Sequence, residues 1–234
     1  MPPDQIIITL LVRAFILLTI LPVHEFAHAI SAYWLGDRTA KVNGRLTLDP
    51  IKHIDPIGGI MIMLLGFGWA KPVPVNPYNF KNRKAGMALT AAAGPLSNLI
   101  AAFIGIIVFY ILAVTGVFLI KPGVSLITQN VIRADNAGWI AYIVLRTFIS
   151  VNVTLAIFNL IPINPLDGSR ILALVLPRKA EETLERYGMY FQIGVFALIA
   201  IGLLSGPLMV VSNAVIYGFS FIIGLPFGFP PVSF

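Results

Sequence analysis

A chain that runs for about twenty to thirty residues at a time with almost no charge can fold in few ways, and this one does so repeatedly. From Ile6 to Leu35 the formal charges are Arg13 and Glu25 alone. Where backbone amides lie in lipid they must be satisfied within the segment itself, which restricts such stretches to helices or closed barrels, and about 20 apolar residues suffice for a helix to cross. Composition agrees: hydrophobic residues make up 58% and charged residues 11% of the chain, against about 25% charged in soluble domains. The fold class expected is an all-α polytopic membrane protein. Its 234 residues hold about four to six spans with short connections, so residues 1–234 are read as a single transmembrane domain.

The net charge of +6 is topological. No basic helix or aromatic-interleaved patch accompanies it, so nucleic acid is not an expected partner. The absence of cysteine excludes disulfides and thiolate ligands, leaving His, Asp, Glu and water for any metal. The first apolar segment is not read as a cleaved signal, because no small-residue cleavage site ends a short apolar core.

Along the chain, the first span is expected from Ile6 to Leu35, kinked by Pro22. Residues 36–85 carry eight Lys or Arg (38, 41, 45, 52, 71, 81, 83 and 84) against three Asp, which places this loop on the cytoplasmic side. Within it, Ile57 to Trp69 is apolar but too short to span, and is expected to form a re-entrant hairpin or short β segment. The alternate prolines of Gly68 to Pro77 require extended backbone. A second span is expected from Ala85 to Ile120, an outer loop from Lys121 to Gly138, and a third span from Trp139 to Ile161. Two apolar runs, Tyr187 to Leu204 and Leu208 to Leu225, close the chain, and the count of crossings there is left open. No internal repeat is visible.

The chemistry lies in His24-Glu25-Phe26-Ala27-His28. Imidazoles four residues apart share one face of a helix and suit zinc, while the intervening glutamate is a candidate general base. Ionisable groups at membrane depth are costly unless they bind metal, pair or face water. The motif lies seven to eleven residues before Leu35, or about 10 to 17 Å along a helix, in the cytoplasmic half of the bilayer if this helix descends. A descending third span would bring Asp167, just past its end, to the same depth. Catalytic zinc takes three protein ligands and an open position, and two His plus a carboxylate is an established set; Asp167-Gly168 also reads as a plain turn or helix cap.

Three ordered motifs carry a resemblance: His24-Glu25-Phe26-Ala27-His28, then Ala93-Gly94-Pro95-Leu96-Ser97-Asn98, then Asn159-Leu160-Ile161-Pro162-Ile163-Asn164-Pro165-Leu166-Asp167-Gly168. Together they resemble the site-2 protease family of intramembrane zinc metalloproteases. Gly66 to Pro77 is similar to a small bacterial and archaeal branch of it, without inserted PDZ-like or nucleotide-sensing modules. The resemblance covers roughly residues 10–175 and implies a three-helix catalytic core there, with residues 187–225 as additional membrane helices. It implies Zn2+ held by His24, His28 and Asp167, with Glu25 as base. Asn159 is implied to stabilise the transition state, although an interhelical hydrogen bond is as good a reading of it.

The expected function is hydrolysis of peptide bonds in or near transmembrane segments of membrane-protein substrates, as in regulated intramembrane proteolysis, at the cell membrane of a prokaryote. The partners expected are a transmembrane protein substrate and the lipid bilayer. A membrane helix hides its carbonyls, so a substrate has to unwind; residues 68–77 offer a strand to hold it, with Ile60 to Leu65 as a pairing edge, or else a cap over the site. Asn98 is read as helix packing that can also steady the zinc helix, His53 as a surface residue, and Arg146 as having no catalytic role. Two other classes compete. A catalytically silent metal-binding scaffold would have no use for Glu25, and a transporter predicts pseudo-repeats or further charged spans.

Overall fold

A computed structural model describes residues 3–65, 68–120, 131–134, 136–225 and 231–232. The helices are α1 (Pro3–Phe15), α2 (Leu21–Trp34), α3 (Thr39–Val42), α4 (Pro50–His53), α5 (Pro56–Leu65), α6 (Arg83–Val114), α7 (Asn136–Asn159), α8 (Asp167–Ala173), α9 (Arg178–Ala200) and α10 (Ser205–Gly224). A two-stranded antiparallel ribbon, β1 (Phe118–Ile120) with β2 (Val131–Ala134), lies between α6 and α7 in sequence. Among the described residues, four helical segments are long and apolar enough to cross a membrane: Thr9–Trp34, Arg83–Val114, Ala137–Asn159 and Ser205–Gly224. The protein is therefore all-α and polytopic. The outward face of α6 supports this directly, since Ile100, Ile104, Ile107 and Ile111 recur at helical spacing and are all exposed; a contiguous apolar stripe of that kind is stable against lipid rather than water.

Sequence explains most of the local structure. Pro22 does not kink the first span by breaking it. Instead Ile16–Ile20, the turn before it, widens to π-helix, and Leu21 N–H reaches back to Ile16 O; a proline removes one rung of the ladder, and a wider turn is one way a helix absorbs that loss. The second span is shorter than expected. It stops at Val114, where Thr115 and Gly116 N–H bond back to Ile111 and Ala113 O and Gly116 takes φ +78°, so Phe118–Ile120 is strand. Residues 121–130 of the expected outer loop, and Gly66-Phe67 of the prolyl motif, lie outside the described residues. Of the two C-terminal apolar runs, among the described residues only that in α10 belongs to a helix both long and apolar enough to cross. The other belongs to α9, whose first turns are charged.

The short apolar run of the first loop is a helix, not a β segment. Ile60–Leu65, expected as a pairing edge, is the second half of α5, and among the described residues of this loop the β pairing is the bridge Ile54–Ala70. Gly58 shows how this helix is packed. A Cβ there would lie 2.1 Å from Trp69 O, and one on Gly68 would lie 2.2 Å from Gly58 O, so α5 and the extended segment touch backbone to backbone. Arg13 reaches across from α1 to donate to the Met63 and Leu64 carbonyls at 2.6 and 2.8 Å, satisfying the last turn of α5.

The chain divides into two compact units, Met1–Asn98 with Phe158–Ile201, and Leu99–Ile157 with Gly202–Phe234. The second has an aromatic core in which Phe118 lies 5.0 Å from Phe109 and 5.7 Å from Tyr142, ring centre to ring centre. The first unit holds every residue described next.

Candidate metal centre

His24 and His28 stand one turn apart on α2 and are both buried. Each ring is oriented by its Nδ1. That of His24 lies 2.5 Å from Asn98 Oδ1 and that of His28 lies 2.8 Å from the Thr90 carbonyl. A carbonyl only accepts, so Nδ1 carries the proton and each Nε2 presents a lone pair. The two Nε2 atoms face each other at 3.1 Å, and Asp167 Oδ2 lies 3.3 and 3.4 Å from them. Two lone pairs and a carboxylate oxygen converging in this way repel one another unless a cation joins them. Asp167 Oδ2 is buried and has no hydrogen-bond partner, the condition expected of an atom reserved for a metal.

The spacing fits zinc. Ligand bonds of about 2.0–2.1 Å in a tetrahedral shell separate the donor atoms by about 3.3 Å, and the three observed separations lie within 0.2 Å of that value. These are the three residues grouped closely enough to hold a metal among the described residues. The donor set is all nitrogen and oxygen, as the lack of cysteine requires.

Helix α6 forms the wall behind the rings, and its sequence shows why it can. Thr90, Gly94 and Asn98 recur at intervals of four and so share one face. A Cβ on Gly94 would lie 2.5 Å from His28 Cε1 and Nε2 and 2.7 Å from His24 Cε1; only glycine lets the helix backbone touch both rings. Asp167 is delivered by the start of α8. There Gly168 packs on the end of α7 so closely that a Cβ would lie 2.3 Å from Leu160 O. The Asp-Gly pair is thus a turn and a ligand at once. Glu25 is half-buried beside the rings, its Oε2 accepting from Val73 N–H at 3.2 Å.

The sequence matches peptidase family M50 across residues 12–201. The chain belongs to peptidase family M50. It is also 43% identical over 154 residues to a Bacillus subtilis (strain 168) protein named "Putative zinc metalloprotease YwhC", an alignment that covers 66% of this chain and 64% of that protein. The chain thus spans a little under two thirds of the relative's length. No solved structure matches it. The site-2 protease resemblance drawn from the three motifs is the same assignment, and Zn2+ is the cofactor that M50 membership and this donor set imply.

Of the residues singled out from sequence, His24, His28 and Asp167 come together and Glu25 adjoins them. Asn159 closes α7 eight residues before Asp167 and is not part of the donor group. Asn98 proves to be more than packing, since it fixes the His24 ring. His53 is not at the surface. It is fully buried, with Nε2 2.7 Å from the Thr47 carbonyl. The Thr90 carbonyl, being backbone, carries no residue-type signal in the sequence; the interval of four between Thr90, Gly94 and Asn98 marks the face it shares.

Proposed function

We propose that this M50 protein is an intramembrane zinc metalloprotease of the site-2 type, hydrolysing peptide bonds in or near transmembrane segments of membrane-protein substrates, with its centre in the cytoplasmic half of the bilayer. The observation that carries this reading is the convergence of two imidazole lone pairs and an unpartnered carboxylate oxygen beside a glutamate that is not itself a ligand.

His24, His28 and Asp167 would hold the ion. Zinc held there would supply a Lewis acid for the scissile carbonyl and would acidify the attacking water. Glu25 takes the proton from that water and returns it to the leaving amine. Asn159 offers an amide donor to the developing oxyanion, a contribution of about 3 kcal/mol when a comparable donor is deleted elsewhere. Asn98 and the Thr90 carbonyl keep both rings in the tautomer that ligates. The eight basic side chains of residues 36–85 support a cytoplasmic placement of the loop that follows α2, and hence of the centre.

The test is cleavage of a transmembrane test substrate by purified protein in lipid nanodiscs. Cleavage that is abolished by a chelator and restored by stoichiometric zinc supports the reading. A protein that binds one zinc and cleaves none of a panel of membrane-spanning substrates would instead be a metal-binding scaffold.

A further inference from the structure

The extended segment from Lys71 to Asn76 is tied down along its length. At one end Arg45, only 6% exposed, spreads its guanidinium over two successive carbonyls, Nη1 donating to Pro72 O at 3.0 Å and Nη2 to Lys71 O at 2.5 Å. Behind it, His53 Nε2–H donates to Thr47 O, which turns the Nδ1 lone pair towards Arg45 Nη2 at 3.4 Å, while Lys71 N–H donates to His53 O at 2.8 Å. At the other end Asn76 N–H donates to Asp37 Oδ2 at 2.7 Å. Midway between these anchors, Val73 N–H donates to Glu25 Oε2. Pro72 and Pro74 flank it, so Val73 supplies the one amide hydrogen of residues 72–74.

We propose that Arg45 is a positioning residue for Glu25: by fixing the carbonyls of Lys71 and Pro72 it aims the Val73 amide at the Glu25 carboxylate and holds that carboxylate in one orientation. This deepens the reading of Glu25 as base and rests on it. A glutamate has three rotatable bonds, and proton transfer needs its oxygen held within a few tenths of an ångström of one place. A cation buried among backbone carbonyls, with Nε left unpartnered, is a poor way to gain stability. It is a good way to fix two adjacent peptide planes, because the guanidinium is flat and its donors point in parallel. Lysine keeps the charge but cannot form the fork.

The experiment is a double-mutant cycle on the full chain in nanodiscs, with zinc content and thermal midpoint measured for every variant. Arg45→Lys is expected to lower kcat by about tenfold or more, with KM within twofold of wild type and one zinc per chain. In a Glu25→Gln background, measured in single turnover, the same change should produce no further loss, because the group it orients is gone. A wild-type kcat in Arg45→Lys overturns the proposal, as does a loss confined to KM, which would assign the segment to substrate binding. Equal losses in both backgrounds also overturn it while leaving Glu25 as base. Full activity of Glu25→Gln alone would instead defeat the underlying reading. Should Arg45→Lys fold poorly, His53→Gln is the second variant, since it loosens Arg45 without touching the carbonyls; poor folding in both assigns the network to stability and overturns the proposal.

Discussion

At the scale of single residues, the two imidazoles are held by groups outside the donor set. Asn98 is the clearest, because its Oδ1 is the acceptor that fixes the His24 ring. Asn98→Ala is expected to weaken zinc binding by about 10- to 100-fold while leaving all three ligands in place. Gly94→Ala should do at least as much, since the added methyl would fall 2.5 Å from the His28 ring and force it off the metal position. Competition for zinc against a chelator of known affinity checks both, and wild-type affinity in either would show that α6 does not set the ring positions. The ligands were legible in the sequence and Asn98 only as packing able to steady the zinc helix, while its bond to the His24 ring and the contact of Gly94 with both rings were not, for a physical reason. Two histidines four apart declare a shared face by helix periodicity alone, whereas the close passage of α6 depends on which helices pack together.

At the scale of elements, the join between α2 and the segment that follows Val73 rests on one fully buried carboxylate. Asp37 accepts from Thr39 N–H and Oγ1 at 3.0 and 2.5 Å, from Asn76 N–H at 2.7 Å and from Asn79 Nδ2 at 2.7 Å. Burial pushes its carboxyl up and these hydrogen bonds more than offset that, so the group stands below the ordinary carboxylate range. The sign follows: this stabilisation is complete above about pH 4, the pKa of an unfolded aspartate, and is lost as pH falls through the lower folded value. Asp37→Ala strands the part-buried Asn76 and Thr39 N–H donors and should destabilise the fold by about 2 kcal/mol. In thermal melts its deficit against wild type should shrink below pH 4; a deficit independent of pH would contradict the role assigned to the carboxylate. In sequence Asp37 follows Gly36 like any polar turn, and Arg45 and His53 look like solvated loop charges, because nothing local reveals that the prolyl segment will fold back over them. The strand alternative for α5 has a similar root. A short apolar run has no periodicity that separates helix from strand, and the backbone contact between Gly58 and Gly68 joins residues too far apart for local sequence to reveal.

At the scale of the whole molecule, the distribution of basic residues predicts an orientation that labelling can check. A cysteine placed at Asn82 should react with a membrane-impermeant reagent only after lysis. Labelling from outside intact cells would invert the topology and move the centre to the opposite half of the bilayer. The central claim, that a buried zinc centre hydrolyses peptide bonds with Glu25 as its base, is tested most directly by Glu25→Gln, which keeps size and polarity and removes only the proton acceptor. The variant should hold one zinc per chain while cleavage of a membrane-spanning substrate falls by a factor on the order of 10² or more. Wild-type cleavage by the zinc-loaded Gln variant would contradict the account.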